Sequence, residues 1–294
     1  MLKEYLINEE GIKVYRTIAN YIEVLKPRAS ILLTLIGVVA AIIAGNGRLS
    51  PELPLIALTI FLASAGANGL TNYLDCGIDT RMLRTKNRAL PSRRIYPPQK
   101  VLPLYISLVV SGLALAWYLH PFAFIADAGG TIAAVAWRKR ATCVFPQGML
   151  ASCAPVLMGW FAIKPAVSWE ILLLCVLIAV WLPIHVWSVM IANREDYISA
   201  GLTYFPMNLE IKDSVKVLLG LSLLLYAASL FYYFIGNFGW LYLVISNLLG
   251  IIMVFATARL VMSSDSHDAW KLYKLSAFPY LGLIFIVMPL DIWL

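Results

Sequence analysis

Asn68, Asn72, Asp75 and Asp79 stand 4, 3 and 4 residues apart at the end of an apolar run. If the helix continues through them, that spacing stacks the four side chains along one face. Two carboxylates and two amides offer only hard oxygen ligands. Mg²⁺ prefers such donors, taking one or two carboxylates and completing its shell with water and substrate phosphate. The same pattern also fits a helix end that is capped and solvated by polar residues, although polar groups inside an apolar span are costly and mark function more often than not. Arg81, Arg84, Lys86, Arg88, Arg93 and Arg94 follow at once. Arg84, Lys86 and Arg88 are near enough to the stripe to take phosphate oxygens that a metal leaves unbound. Arg93 and Arg94 read as loop charges that set orientation.

A second polar cluster follows a later apolar run. Trp181-Leu182-Pro183-Ile184-His185 precedes Asn193-Arg194-Glu195-Asp196-Tyr197 and Ala200-Gly201. Asn193 and Asp196 are three apart, so Asp196 brings a carboxylate to another helix end. If the two ends face each other, one diphosphate fits between two Mg²⁺ sites. Taken alone, the second cluster reads better as a solvated loop; paired with the first on the same side, it reads as functional.

Membrane helices must position these residues. The chain has 294 residues, of which 61% are hydrophobic and 13% charged; soluble domains are about half apolar and a quarter charged. The surplus apolar surface must face lipid. The net charge of +7 then reflects basic loops between spans rather than a nucleic-acid surface. Nine runs approach the ~20 residues that cross a bilayer: 29–45, 54–74, 101–119, 121–137, 146–163, 169–191, 214–235, 238–262 and 272–292. Only His120-Pro121 separates the third from the fourth, which carries Asp127 and Gly129-Gly130. With the N-terminus inside, segments 1–28, 81–100, 138–140, 194–216 and 259–274 hold 21 of the 23 Lys and Arg, leaving only Arg48 and Lys164 outside. This asymmetry predicts a cytoplasmic N-terminus and puts both polar clusters on one side of the membrane. Cys76, Cys143, Cys153 and Cys175 have no metal-ligand spacing and read as packing residues. The first 28 residues are amphipathic and lack a signal-peptide core, so the first span is expected to stay in the mature protein. No repeat or linker divides residues 1–294, which read as a single domain.

These motifs resemble the UbiA superfamily of intramembrane prenyltransferases. Asn72-Tyr73-Leu74-Asp75-Cys76-Gly77-Ile78-Asp79 is similar to its NDxxDxxxD stripe, and Arg84-Thr85-Lys86-Asn87-Arg88-Ala89-Leu90 to its RTxxRPL-like segment. Within the superfamily, Lys26-Pro27-Arg28, Trp181–His185 and Glu195-Asp196-Tyr197 with Ala200-Gly201 look most like the protoheme IX farnesyltransferases. Thr71 stands where that pattern has Asn, and Arg138-Lys139-Arg140-Ala141-Thr142-Cys143 departs from the expected KRRTPxN-like segment. The resemblance implies an all-α, polytopic fold of about nine spans around a central intramembrane cavity, in a prokaryotic cell membrane. It implies Mg²⁺-dependent transfer of an isoprenyl group from its diphosphate to heme b or an aromatic acceptor such as 4-hydroxybenzoate. Asp75, Asp79 and Asp196 would then hold Mg²⁺, helped by Asn68 and Asn72. Arg28, Arg84, Lys86 and Arg88 would hold phosphate. Tyr197, with Tyr73 and Tyr204, would face the allylic cation or belong to the interfacial aromatic belt. His185 would orient or ligate heme, or else be a packed, hydrogen-bonded histidine. The isoprenyl tail would lie toward membrane lipid. From another class, a transporter with Asp127 in a broken helix stays open.

Overall fold

A computed structural model describes residues 2–136 and 145–294; the Arg138–Cys143 segment lies outside the described residues. Among these there is helix and turn but no strand. Helix α1 (Leu2–Val24) is followed by Lys26, a left-handed residue with φ 49°, and by Pro27 at the first position of α2 (Pro27–Ala44). Proline suits that position because its missing N–H has no intrahelical acceptor there. Next come α3 (Leu53–Asp79), a 3₁₀ turn (Pro98–Val101) and α4 (Leu102–Leu119). His120 is extended, and α5 (Pro121–Ala136) starts at the following proline. Then come α6 (Gln147–Ile163), α7 (Trp169–Ala192), the short α8 (Arg194–Ser199), α9 (Ile211–Ile235) and α10 (Trp240–Ser263). The last apolar stretch is α11 (Ser266–Leu275) and α12 (Leu283–Trp293), joined by a wide turn, Ser276–Gly282, that contains Pro279.

Seven helical stretches among the described residues are long and apolar enough to cross a membrane. They are α2, α3, α4 with its preceding turn, α7, α9, α10 and the α11–α12 pair. The expected nine is therefore not reached by length. Helices α5 and α6 have 16 and 17 residues, about 24–26 Å at 1.5 Å per residue, against a hydrocarbon core of ~30 Å. Large apolar side chains such as Trp117, Phe234 and Phe255 lie exposed on the outer surface, where lipid rather than water suits them. This is an integral, multi-pass membrane protein.

Helices α2 and α6 form the central crossing, with α3, α5, α7 and α12 around them. They meet at glycines: a Cβ on Gly159 would overlap the carbonyl oxygen of Gly37. Such close backbone approach is how small residues join helices where lipid supplies no hydrophobic drive. Helix α5 runs unbroken through Asp127, Gly129 and Gly130. The broken helix expected of a transporter is absent there, because two glycines weaken a helix without removing its backbone bonds.

Candidate active site

Helix α3 continues to Asp79, so Asn68, Asn72, Asp75 and Asp79 do share one face, within an arc of about 60°. Asp75 and Asp79 are buried, at 4% and 1% exposure. Both amides also tie α3 to the chain before it. Asn68 Nδ2 donates to Ser30 Oγ at 3.2 Å, and Asn72 Nδ2 to the Val24 carbonyl at 2.7 Å. Those bonds use the nitrogens and leave the carbonyl oxygens, the atoms a metal would need, uncommitted by them.

The basic loop folds back over the end of α3. Thr85 Oγ1 donates to the Asp79 carbonyl at 2.9 Å, and Arg88 pairs with the Asp79 carboxylate at 3.0 Å. Asp79 and Arg88 line a small cavity with Glu23, Lys26, Asn72 and Ala89–Pro91. Glu23 and Lys26 were not among the residues expected at the site. Lys26 holds a left-handed backbone immediately before Pro27 at this cavity, a conformation costing a non-glycine residue about 1–2 kcal/mol and typical of functional positions. Glu23 accepts from the Ala89 N–H and pairs with Arg94 at 2.7 Å. Arg94 thus has a structural partner, which orientation charge alone does not require.

The two polar clusters meet directly. The carboxylate of Asp196 accepts from the backbone N–H of Leu83 at 2.6 Å and of Arg84 at 3.1 Å. Arg84 donates to Tyr197 Oη at 3.1 Å, with its guanidinium 5.9 Å from the ring centre. Below them Met82, Met190, Tyr197, Ala200, Leu202 and Met207 form an apolar cluster. Asp196 is therefore at the site, but it tethers the basic loop. Among the described residues no three His, Cys, Asp or Glu side chains gather into a metal cage. Arg28 and Lys86 are exposed and line neither this cavity nor the larger one below.

That larger cavity, of ≈ 200 Å³, lies among α2, α3, α5, α6 and α7. Asn68 and Thr71 open its wall on α3; Ser64, Asp127, Thr131 and Gln147 add further polar groups. Leu182 and Val186 supply the α7 side, while His185 is outside the lining. His185 Nδ1 is 2.9 Å from Ser276 Oγ, and its ring lies between Trp181 and Tyr273, with centroids at 4.9 and 4.7 Å. These contacts are those of the packed, hydrogen-bonded histidine. Sequence reasoning left Asp127 without a role; the cavity lining is the observation that places it.

Comparison with known proteins agrees with this geometry. The model of the UbiA prenyltransferase family matches residues 30–281. The protoheme IX farnesyltransferase of Desulforudis audaxviator is 33% identical, with 95% of this chain and 90% of that protein covered. Among solved structures, one described as digeranylgeranylglyceryl phosphate synthase superposes with a TM-score of 0.74 at 18% identity, covering 94% of this chain and 98% of that one. A UbiA homologue from Archaeoglobus fulgidus bound to GPP and Mg²⁺ gives 0.63 at 16% identity, covering 92% and 99%. The structures share the fold, and the family model together with the farnesyltransferase relative extends the likeness to sequence: the chain belongs to the UbiA prenyltransferase family and is a prenyltransferase.

Proposed function

We propose that this prenyltransferase moves a farnesyl-type group from its diphosphate to protoheme, with Mg²⁺ as cofactor and the diphosphate site at the cytoplasmic face. The observation that carries the reading is the junction of the two clusters. Asp196 holds the basic loop over the buried acids of α3, and the apolar-walled cavity begins directly beneath, at Asn68 and Thr71. Protoheme as acceptor is supported by the name and identity of the Desulforudis relative, and Mg²⁺ by the Archaeoglobus homologue, bound to GPP and Mg²⁺.

The residues fit the metal. Asp75 and Asp79 are buried on one helix face beside two amide oxygens, and the absence of a three-carboxylate cage among the described residues suits an ion that arrives with its phosphate. When bound, Mg²⁺ neutralises the diphosphate and makes it a better leaving group. Asp75 and Asp79 would hold it, with Asn68 and Asn72, and Asp196, which has lone pairs beyond its two backbone bonds, would add a further oxygen donor. Arg88, which lines the small cavity, and Arg84 and Lys86 on the same loop stabilise the charge that grows on the departing phosphate. Tyr197 holds Arg84 in place through its hydroxyl and ring face. His185, packed between Trp181 and Tyr273 outside the cavity, holds the α7 wall in place rather than touching substrate. The cavity takes only the reacting ends; the polyprenyl tail and the bulk of the acceptor lie toward lipid.

The test is a purified-protein assay with farnesyl diphosphate and Mg²⁺, offering heme b and 4-hydroxybenzoate in parallel and reading products by mass. A farnesylated, hydrated heme is expected. Prenylated 4-hydroxybenzoate with no heme product would replace the acceptor and keep the mechanism.

A further inference from the structure

Nothing in the diphosphate site uses Asp127. The residue is 8% exposed, and its Oδ2 is buried with no hydrogen-bond partner among the described residues. Its direction is fixed by packing. One turn on, a Cβ on Gly130 would overlap that of Ala154, so α5 is pressed against α6. Asp127, Gly130, Thr131 and Ala134 all line the ≈ 200 Å³ cavity whose α3 wall carries Asn68 and Thr71. Asn68, which shares this cavity with Asp127, stands seven residues before Asp75 on α3, about 10 Å away along the helix at 1.5 Å per residue. An unsatisfied buried polar atom costs about 1–3 kcal/mol, and an acid inside a membrane is more costly still unless a cavity or partner serves it. Whatever fills the cavity is what Oδ2 meets.

We propose that Asp127 is the proton acceptor of the transfer, placed on the acceptor side of the cavity. The assignment rests on the prenyl-transfer reading above. As the C1–O bond breaks, its electron pair leaves with the diphosphate. C1 then bonds to a carbon of the acceptor, which is left positively charged. That charge is discharged when the carbon loses its proton, or when water adds to the cation and loses one. Either route releases one proton per turnover: substitution is R–OPP + AH giving R–A, diphosphate and H⁺, and hydration is R–OPP + A + H₂O giving R–A–OH, diphosphate and H⁺. Oδ2 takes that proton and later passes it to water. The positive charge formed beside it also makes the carboxylate tolerable in so apolar a place.

The experiment uses the full chain in lipid nanodiscs, comparing wild type with Asp127→Asn and Asp127→Glu. Product formation is followed with farnesyl diphosphate, Mg²⁺ and both acceptors; binding is read by displacement with the unreactive thiolodiphosphate analogue of farnesyl diphosphate. A lost general base is expected to lower kcat of D127N about 100-fold or more, with D127E recovering at least about tenfold of that. Analogue affinity of D127N should stay within about threefold of wild type, since uniform binding is untouched. A D127N kcat within about threefold of wild type, or analogue binding that falls in step with kcat, would overturn the assignment alone. If D127N does not fold, D127E decides: turnover lowered more than about threefold yet kept above about a hundredth of wild type, with intact analogue binding, supports the proton acceptor, and turnover outside that range overturns it. A wild-type protein that makes no product from either acceptor would instead remove the functional reading and this assignment with it.

Discussion

The acids of α3 are hidden more deeply than charged groups usually are. Asp79 is 1% exposed and its recorded ion-pair partner, Arg88, presents more than a third of its side chain to solvent. Burying a carboxylate is costly unless a cation or metal compensates it, which agrees with the metal role proposed for the stripe. Asp75→Asn preserves shape and removes one charge. We expect turnover to fall by about 100-fold or more, with the thermal midpoint unchanged or raised; full activity would remove Asp75 from the metal site. Arg88 is a different case, because its loss leaves Asp79 with its charge less compensated. Arg88→Ala should destabilise the fold by about 1–3 kcal/mol, less than a fully buried pair because the arginine is partly solvated. Thermal unfolding in matched detergent measures it, and recovery in Arg88→Lys would identify charge as the cause.

At the scale of elements, two junctions hold the site in shape. At the α2–α6 crossing, Gly159→Leu forces backbones apart and should cost about 1–3 kcal/mol or more, read as a lower unfolding midpoint. At the loop junction, Asp196→Ala removes two charge-assisted bonds to the backbone. It should expose residues 80–97 to proteolysis and lower prenyl-diphosphate affinity, and an unchanged digestion pattern would show that the apolar cluster around Met82 suffices. The stripe on α3 was legible from spacing alone, because 4, 3, 4 is the arithmetic of a helix face. So was the start of α5, since proline dictates it. What Asp196 binds was not legible: its partners lie more than a hundred residues away and are main-chain atoms, which no side-chain motif encodes. His185 was no more legible: its partner is the side chain of Ser276, 91 residues on, in a turn inside an otherwise apolar run. Asp127 was visible as an oddity, but only the rotation of α5 against α6 says that it faces a cavity.

For the whole molecule, charge asymmetry and contact tell one story. The two loops expected on one face are in direct contact through Asp196 and Arg84. At the opposite end, Trp293 Nε1 donates to the Gly47 carbonyl and Asp291 accepts from the Tyr242 N–H, gathering the loops that hold few basic residues. Impermeant maleimide labelling of intact cells, in a background without the four native cysteines, should modify Arg48→Cys and spare Arg93→Cys; the reverse pattern would invert the orientation. The contact between halves has one more consequence. Asp196 grips residues 83 and 84 by their amide hydrogens, which every amino acid except proline possesses. The clasp is thus indifferent to sequence. Descendants of this chain can exchange the side chains at 83 and 84, one substitution at a time, without losing the two bonds that tie the loop to Asp196.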